Sequence, residues 1–261
     1  MQASIELKVG FKGERSFVRS LYVTPPFRLV SVGQLKRDGA CYLMQMSTSP
    51  GVLSGDRYDI KVEVESGGRV QLLSQSYQRL FDMDGEAEQV MSIKLGDNAH
   101  FSQVPHPIVP HRNSSYSSSS RVEMGCNSSF LQSEIITCGR KYHGEEFAFR
   151  CFSNSVEIYS QGVLRFRDKI VLNPSLSPLM ECGLLEGYTH QGTLIFQTSE
   201  QCDTKAIIES IYAQLAETED VRFGISQTHY PGFILRILGN DGEKLFNIFT
   251  SIQENIWYKR V

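Results

Sequence analysis

Up to about residue 200, apolar and polar positions alternate. Ile5, Leu7, Val9 and Phe11 form one such row, and Tyr58, Ile60, Val62 and Val64 another; Leu164 with Phe166 and Ile170 with Leu172 add a third. A period of two sets each row on one face of a strand. Turn signals separate the runs: Thr24-Pro25-Pro26, Asp38-Gly39, Ser66-Gly67-Gly68, Asp84-Gly85, Gly96-Asp97-Asn98 and Asn173-Pro174. Gly and Asn accept positive φ, and Pro presets a bend while removing a ladder donor. Turns about ten residues apart predict a mainly β fold, with many short strands in coiled, helical or sandwich-like sheets. No internal repeat at a fixed period is evident.

The pattern changes near the C-terminus. After Asp203-Thr204, an N-cap pair, Ile207, Ile208, Ile211 and Leu215 fall at helical spacing and predict a helix from about Asp203 to Ala216. Two strand-like runs follow, Val221 to Thr228 and Phe233 to Leu238; Leu245, Ile248, Phe249, Ile252, Ile256 and Trp257 then mark a second amphipathic helix. This α-β-β-α part either layers onto the β body or forms a small subdomain. The polar run Asn113 to Ser120 reads as a strand or loop with a solvated face, or as a mobile linker. Strand-like material on both sides argues against a domain boundary there. The expected organisation is one continuous domain over 1–261, with a β-rich body at 1–200 and an α/β part at 201–261.

Composition narrows the class of function. The 261 residues are 41% hydrophobic and 21% charged, ordinary globular usage that leaves room for a sizeable core. Lys and Arg number 26 against 29 Asp and Glu, a net charge of -3. No excess of cations draws the chain to nucleic acid or anionic lipid. Met1 to Val9 alternates and has no basic n-region or apolar h-region, so neither a signal peptide nor a membrane span is expected. Six scattered cysteines without CxxC fit reduced thiols in the cytoplasm, where the sequons at Asn113 and Asn127 stay idle.

Catalytic signatures are missing. The sequence holds no G-x-x-x-x-G-K-[ST], no G-x-G-x-x-G after a strand and no H-E-x-x-H, and Gly51 to Gly55 carries Leu53 where a nucleophile elbow needs Ser. His106 and His111 stand five residues apart on a proline-defined segment and would share a metal only across a turn; Cys138 and His143 form a weaker candidate pair for transient metal contact. Glu134 lies in the apolar run Phe130 to Cys138, and Asp168 in Val163 to Leu172. A carboxylate there either faces water or is paired and lines an internal cavity or channel.

Several segments, in order, resemble the UreD (UreH) family of urease accessory proteins. They are Thr24-Pro25-Pro26-Phe27-Arg28-Leu29, Ser49 to Asp56, Leu73 to Phe81, Pro105 to His111, Ser133 to Arg140 with Gly144-Glu145-Glu146-Phe147, and Asp168 ahead of Leu172-Asn173-Pro174. The resemblance spans most of the chain. It implies a non-enzymatic accessory protein that binds UreF and, with the GTPase UreG, docks on apo-urease and delivers nickel(II) through an internal tunnel, with no permanently bound cofactor. Glu134 and Asp168 match positions where the family tends to be acidic, which makes them tunnel-lining candidates. Asp56 matches the acid of a family turn, with Ser54 in place of its first glycine; Gly55-Asp56 is expected to be structural. Arg79 is a candidate for the partner interface, where Arg is enriched, whereas His111 stands where the family often has an aromatic residue. The competing reading is a pure scaffold that remodels apo-urease without passing nickel. The C-terminal helix ending Ile256-Trp257-Tyr258 would then either face a partner or pack on the β core.

Overall fold

The computed structural model describes residues 1–33, 36–200 and 202–258. In chain order its strands are β1 (Gln2–Lys12), β2 (Arg15–Val23), β3 (Phe27–Ser31), β4 (Cys41–Ser47), β5 (Arg57–Val64), β6 (Arg69–Ser74), β7 (Gln78–Leu80), β8 (Ala87–Leu95) and β9 (His100–Val104). There follow β10 (Ile108–Pro110), β11 (Ser115–Met124), β12 (Ser129–Thr137), β13 (Cys151–Ser160), β14 (Val163–Leu172) and β15 (His190–Thr198). Helix α1 (Thr204–Ala216), strands β16 (Val221–Gln227) and β17 (Gly232–Gly239) and helix α2 (Gly242–Tyr258) close the chain.

The strands form two facing sheets. Sheet A has seven, in the order β14-β13-β11-β8-β5-β1-β2; sheet B has ten, running β16-β17-β15-β12-β9-β6-β4-β3 with β10 and β7 attached beside β12. From β4 onward the chain crosses between the sheets and advances by one strand each time, so the central strands of each sheet are parallel. This is a flattened coil. Its turns stack: the Gly67 N–H donates to the Asp97 carbonyl at 2.8 Å and the Asn98 N–H to the Cys126 carbonyl at 2.8 Å. Gly67, Asn98 and Asn127 hold the same place on successive turns at φ of +77°, +56° and +51°, a conformation Gly and Asn adopt at least cost. Val64, Leu95 and Met124 are equivalent by register. The chain therefore does repeat, but coils of unequal length keep the repeat from showing as a fixed period.

Alternation directs one face of each sheet inward. Val9, Val64, Leu72, Phe101, Phe130 and Phe152 belong to the core between the sheets, where Phe101 stacks on its register partner Phe130 with centroids 5.7 Å apart. Each such side chain contributes about 1.5–3 kcal/mol by leaving water. The outer face of sheet A is charged, with cross-strand pairs such as Lys8–Glu63 at 2.9 Å and Lys61–Glu6 at 3.0 Å.

The outer face of sheet B is apolar and covered by α1 and α2, forming a second core that includes Leu131, Ile135, Leu194, Phe233, Leu245 and Phe249. Asp203 caps α1 by accepting from the Ala206 N–H at 3.1 Å, as its sequence position predicts. Strands β16 and β17 extend sheet B by pairing onward from β15. Ile256 and Trp257 are buried, and the Trp257 Nε1–H donates to Asp38 Oδ2 at 3.0 Å. The stripe ending α2 is thus spent on the protein's own β body, the second of the two readings left open for it. Among the described residues, no helix is long and apolar enough to cross a membrane.

Candidate functional site

The core between the sheets is interrupted by a polar layer, and strand register builds it. In sheet A, Gln89, Ser118 and Asn154 lie side by side across β8, β11 and β13. In sheet B, Glu134 pairs with Thr193 and Thr193 with Arg236 across β12, β15 and β17, while Gln103 and Gln132 adjoin on β9 and β12. Gln89, Gln103, Ser118, Gln132, Glu134, Asn154 and Thr193 line a cavity of ≈ 180 Å³. A water needs about 10–15 Å³ on this measure, so several fit. The lining also reaches exposed Ser47, Pro50, Gln75, Ser76 and Arg79, where the cavity opens to solvent.

Glu134 sits deep in this space. The Ser118 hydroxyl lies 3.5 Å from Glu134 Oε2 and donates to Asn154 Oδ1 at 2.9 Å. Burial pushes the Glu134 carboxyl up to about 8 against the pull of Asn154 and Ser118, and the charge of Asp168 adds to the rise. The carboxyl is therefore mostly protonated at neutral pH. Nearby, Gln132 Nε2 donates to Gln103 Oε1 at 3.2 Å, and Gln132 Oε1 is buried with no hydrogen-bond partner. The polar groups that converge here are oxygen-rich and offer loose contacts to a cation.

Asp168 also faces inward, from β14 at the edge of sheet A. Its Oδ1 accepts from Arg236 Nη2 at 2.6 Å, an ion pair that joins the two sheets. Glu134 is among the residues lining the cavity, whereas Asp168 is paired with Arg236 but does not line it.

Gly55 and Asp56 make a tight turn, with Gly55 at φ +77°. Asp56 accepts from the Leu53 N–H at 2.9 Å, the Tyr58 hydroxyl at 3.0 Å and the Met1 ammonium at 2.8 Å. Burial opposes its charge, but these donors outweigh burial and hold the carboxyl below its usual range. Tyr58 is a wall of the cavity, so the turn acts on the site by fixing that wall. Arg79 stands exposed at the mouth, anchored through its carbonyl, which accepts from the Val52 N–H at 2.8 Å.

Cys138 and His143 are differently placed. Cys138 is buried, which pushes its thiol up and keeps it protonated, whereas His143 lies on an exposed 3-10 turn, Lys141–His143. His106 stacks on Phe246 with centroids 4.1 Å apart and shares a 2.8 Å bond with Ser74 at the mouth, while His111 packs edge-on to Phe81. Among the described residues, no group of three His, Cys, Asp or Glu side chains is placed to hold a metal ion.

Sequence reasoning missed Ser118, Gln132, Asn154, Thr193 and Arg236. The run Asn113 to Ser120 stood out and does supply most of the polar part of β11, an inner strand of sheet A with part-exposed Ser117 and Ser119 on its outer face; what that reading missed is the inward face, where Ser118 and Ser120 line the cavity. The available signal was parity, since Ser118 and Ser120 continue the same face as buried Tyr116, Val122 and Met124.

Comparison with known proteins bears on the whole chain. The family model described as UreD urease accessory protein matches residues 1–258. A urease accessory protein UreD from Flavobacterium johnsoniae is 43% identical over 248 residues, covering 95% of this chain and 90% of that relative. Another from Acetivibrio thermocellus is 37% identical over 245 residues, with 94% and 92% covered. A third, from Haemophilus influenzae, is 31% identical over 260 residues, with 95% and 96% covered. With a match from end to end and relatives at this identity over nearly their full lengths, the chain belongs to the UreD urease accessory protein family.

Proposed function

We propose that this protein is a non-enzymatic urease maturation factor that passes nickel(II) through the cavity between its sheets. It does so in the cytoplasm, in a hetero-oligomer with UreF that works with UreG on apo-urease. The observation that carries the reading is one polar cavity with exposed Arg79 at its mouth and Glu134 in its depth. A carrier must release what it holds. Scattered oxygen groups, one of them a buried carboxyl with its proton still on, bind a divalent ion weakly and in succession, where a closed Cys/His cage would retain it. Arg79 at the mouth supplies a planar, charged group of the kind enriched at interfaces, so a partner seated there would continue the path. Relatives over the full length bear the name of accessory proteins, in keeping with a role beside the enzyme.

The scaffold reading, in which the protein remodels apo-urease and nickel arrives by another route, draws on a different observation. The ion pair of Asp168 with Arg236 stands behind the cavity's deep end, and a path closed at one end conducts nothing. Co-expression with UreF, UreG and apo-urease separates the two. Omitting this chain abolishes nickel loading under both readings, and Glu134→Lys abolishes it only under conduction while the UreF complex still forms. Full loading without the chain overturns the maturation role itself.

A further inference from the structure

The deep end of the cavity is defined by register. On sheet B the lining ends on β15 at Thr193 and Ile195, and on sheet A at Asn154 and Val156. The next strand outward supplies Arg236 beside Thr193 and Asp168 beside Val156. Their 2.6 Å ion pair bridges the sheets at that point, with side chains 40% and 18% exposed, so solvent stands on its far side. The row continues to Gly224, the register partner of Arg236 on β16. A Cβ built on Gly224 meets no atom within 4 Å, which leaves open space beside the guanidinium.

From this arrangement we infer that Arg236 is a gate: its pairing with Asp168 closes the deep end of the inter-sheet cavity, and swinging toward Gly224 opens a second mouth there. The inference rests on the conduction reading for its purpose, but the closure is a property of this chain alone. A positive side chain suits such a gate in two ways. It occupies the carboxylate a cation would otherwise reach, and it repels a cation approaching from the cavity while the pair is intact. The flexible Arg stem allows the head group to leave without moving β17. A half-buried ion pair is held weakly enough to be opened by a docking partner.

The test is the accessibility of a thiol placed behind the gate. In the full-length protein, the thiol introduced by Thr193→Cys is labelled with a small cationic methanethiosulfonate, and the modified peptide is quantified by mass spectrometry. Arg236→Gln is expected to raise the labelling rate about fivefold, the population shift that loss of such a pair produces. Asp168→Asn is expected to raise it equally, and the two together no further, because both remove one contact. A thiol introduced by Ser76→Cys at the other mouth reports folding and should label at one rate in every variant. Unchanged labelling at position 193 in Arg236→Gln, or independent and additive effects of the two changes, would overturn the gate. Nickel loading of urease by the same Arg236→Gln variant, without the added thiol, is read separately. If labelling rises and loading is unaltered, the gate stands and the conduction reading falls.

Discussion

Glu134 and Glu145 show how the same side chain takes opposite character from its surroundings. Glu134 is enclosed, so burial favours its neutral acid. Glu134→Gln keeps a neutral group of the same shape beside Ser118 and Asn154, and its melting temperature at pH 7 is expected to match the parent's; a large drop would contradict the protonated assignment. Glu145 accepts from Arg140 Nη2 at 2.5 Å and Nε at 2.9 Å, and from the Arg112 N–H at 3.2 Å. The Arg140 fork is the main reason its carboxyl falls to about 2 from 4.5. The folded chain thus refuses a proton that the unfolded chain accepts. Stability from Glu145 is fully present above about pH 4.5 and is lost as the pH falls toward 2. Melting curves should show Glu145→Gln below the parent near neutral pH, with the gap closing in acid; a gap that widened in acid would refute the assignment. Glu134 in the cavity and Asp168 in its ion pair stood out in the sequence because a charge inside an apolar run is an anomaly on its own. Ser118 and Asn154 stood out less, since a polar residue on a strand is an anomaly only through the parity it shares with apolar neighbours such as Tyr116 and Phe152, and cross-strand register is what brings the two together.

At the scale of elements, stacked turns set the coil. Asn98 sits at φ +56° between the turns of Gly67 and Asn127. Asn98→Gly should be nearly neutral, whereas Asn98→Val, which adds a β-branched Cβ in the left-handed region, should cost about 1–2 kcal/mol in denaturant melts. Equal effects of the two would mean that the turn is not what fixes the register. The helical layer depends on close approach. A Cβ on Gly192 of β15 would lie 2.8 Å from Phe249 Cζ and 2.9 Å from Ile237 Cγ2. Gly192→Val is therefore expected to lift α2 off sheet B and lower the melting temperature, with Trp257 fluorescence reporting the loosened helix; native fluorescence and an unchanged melt would argue against that packing. Alternation and N-cap chemistry made the strands and both helices readable, including the cap at Asp203. The repeat stayed hidden because each coil keeps the backbone conformation of its turn and the polarity of its faces, which Gly67, Asn98 and Asn127 satisfy with two residue types.

On the scale of the molecule, charged surface, sheet, polar layer, sheet and helices follow one another, and the polar layer lies where a sandwich ordinarily has its driest packing. Burying so many amides and hydroxyls forfeits apolar contact and demands partners for each group. Conduction gives that departure a use, and a filled cavity tests it. Ser118→Leu places a branched apolar side chain in the cavity centre, away from Arg79 and the outer surfaces. The deciding measurement is the nickel content of urease matured in cells carrying UreF, UreG and Ser118→Leu, with recovery of the UreF complex confirmed alongside. An intact complex with urease almost devoid of nickel is the expected result; an intact complex with urease loaded as by the parent protein would rule out passage of nickel through the cavity.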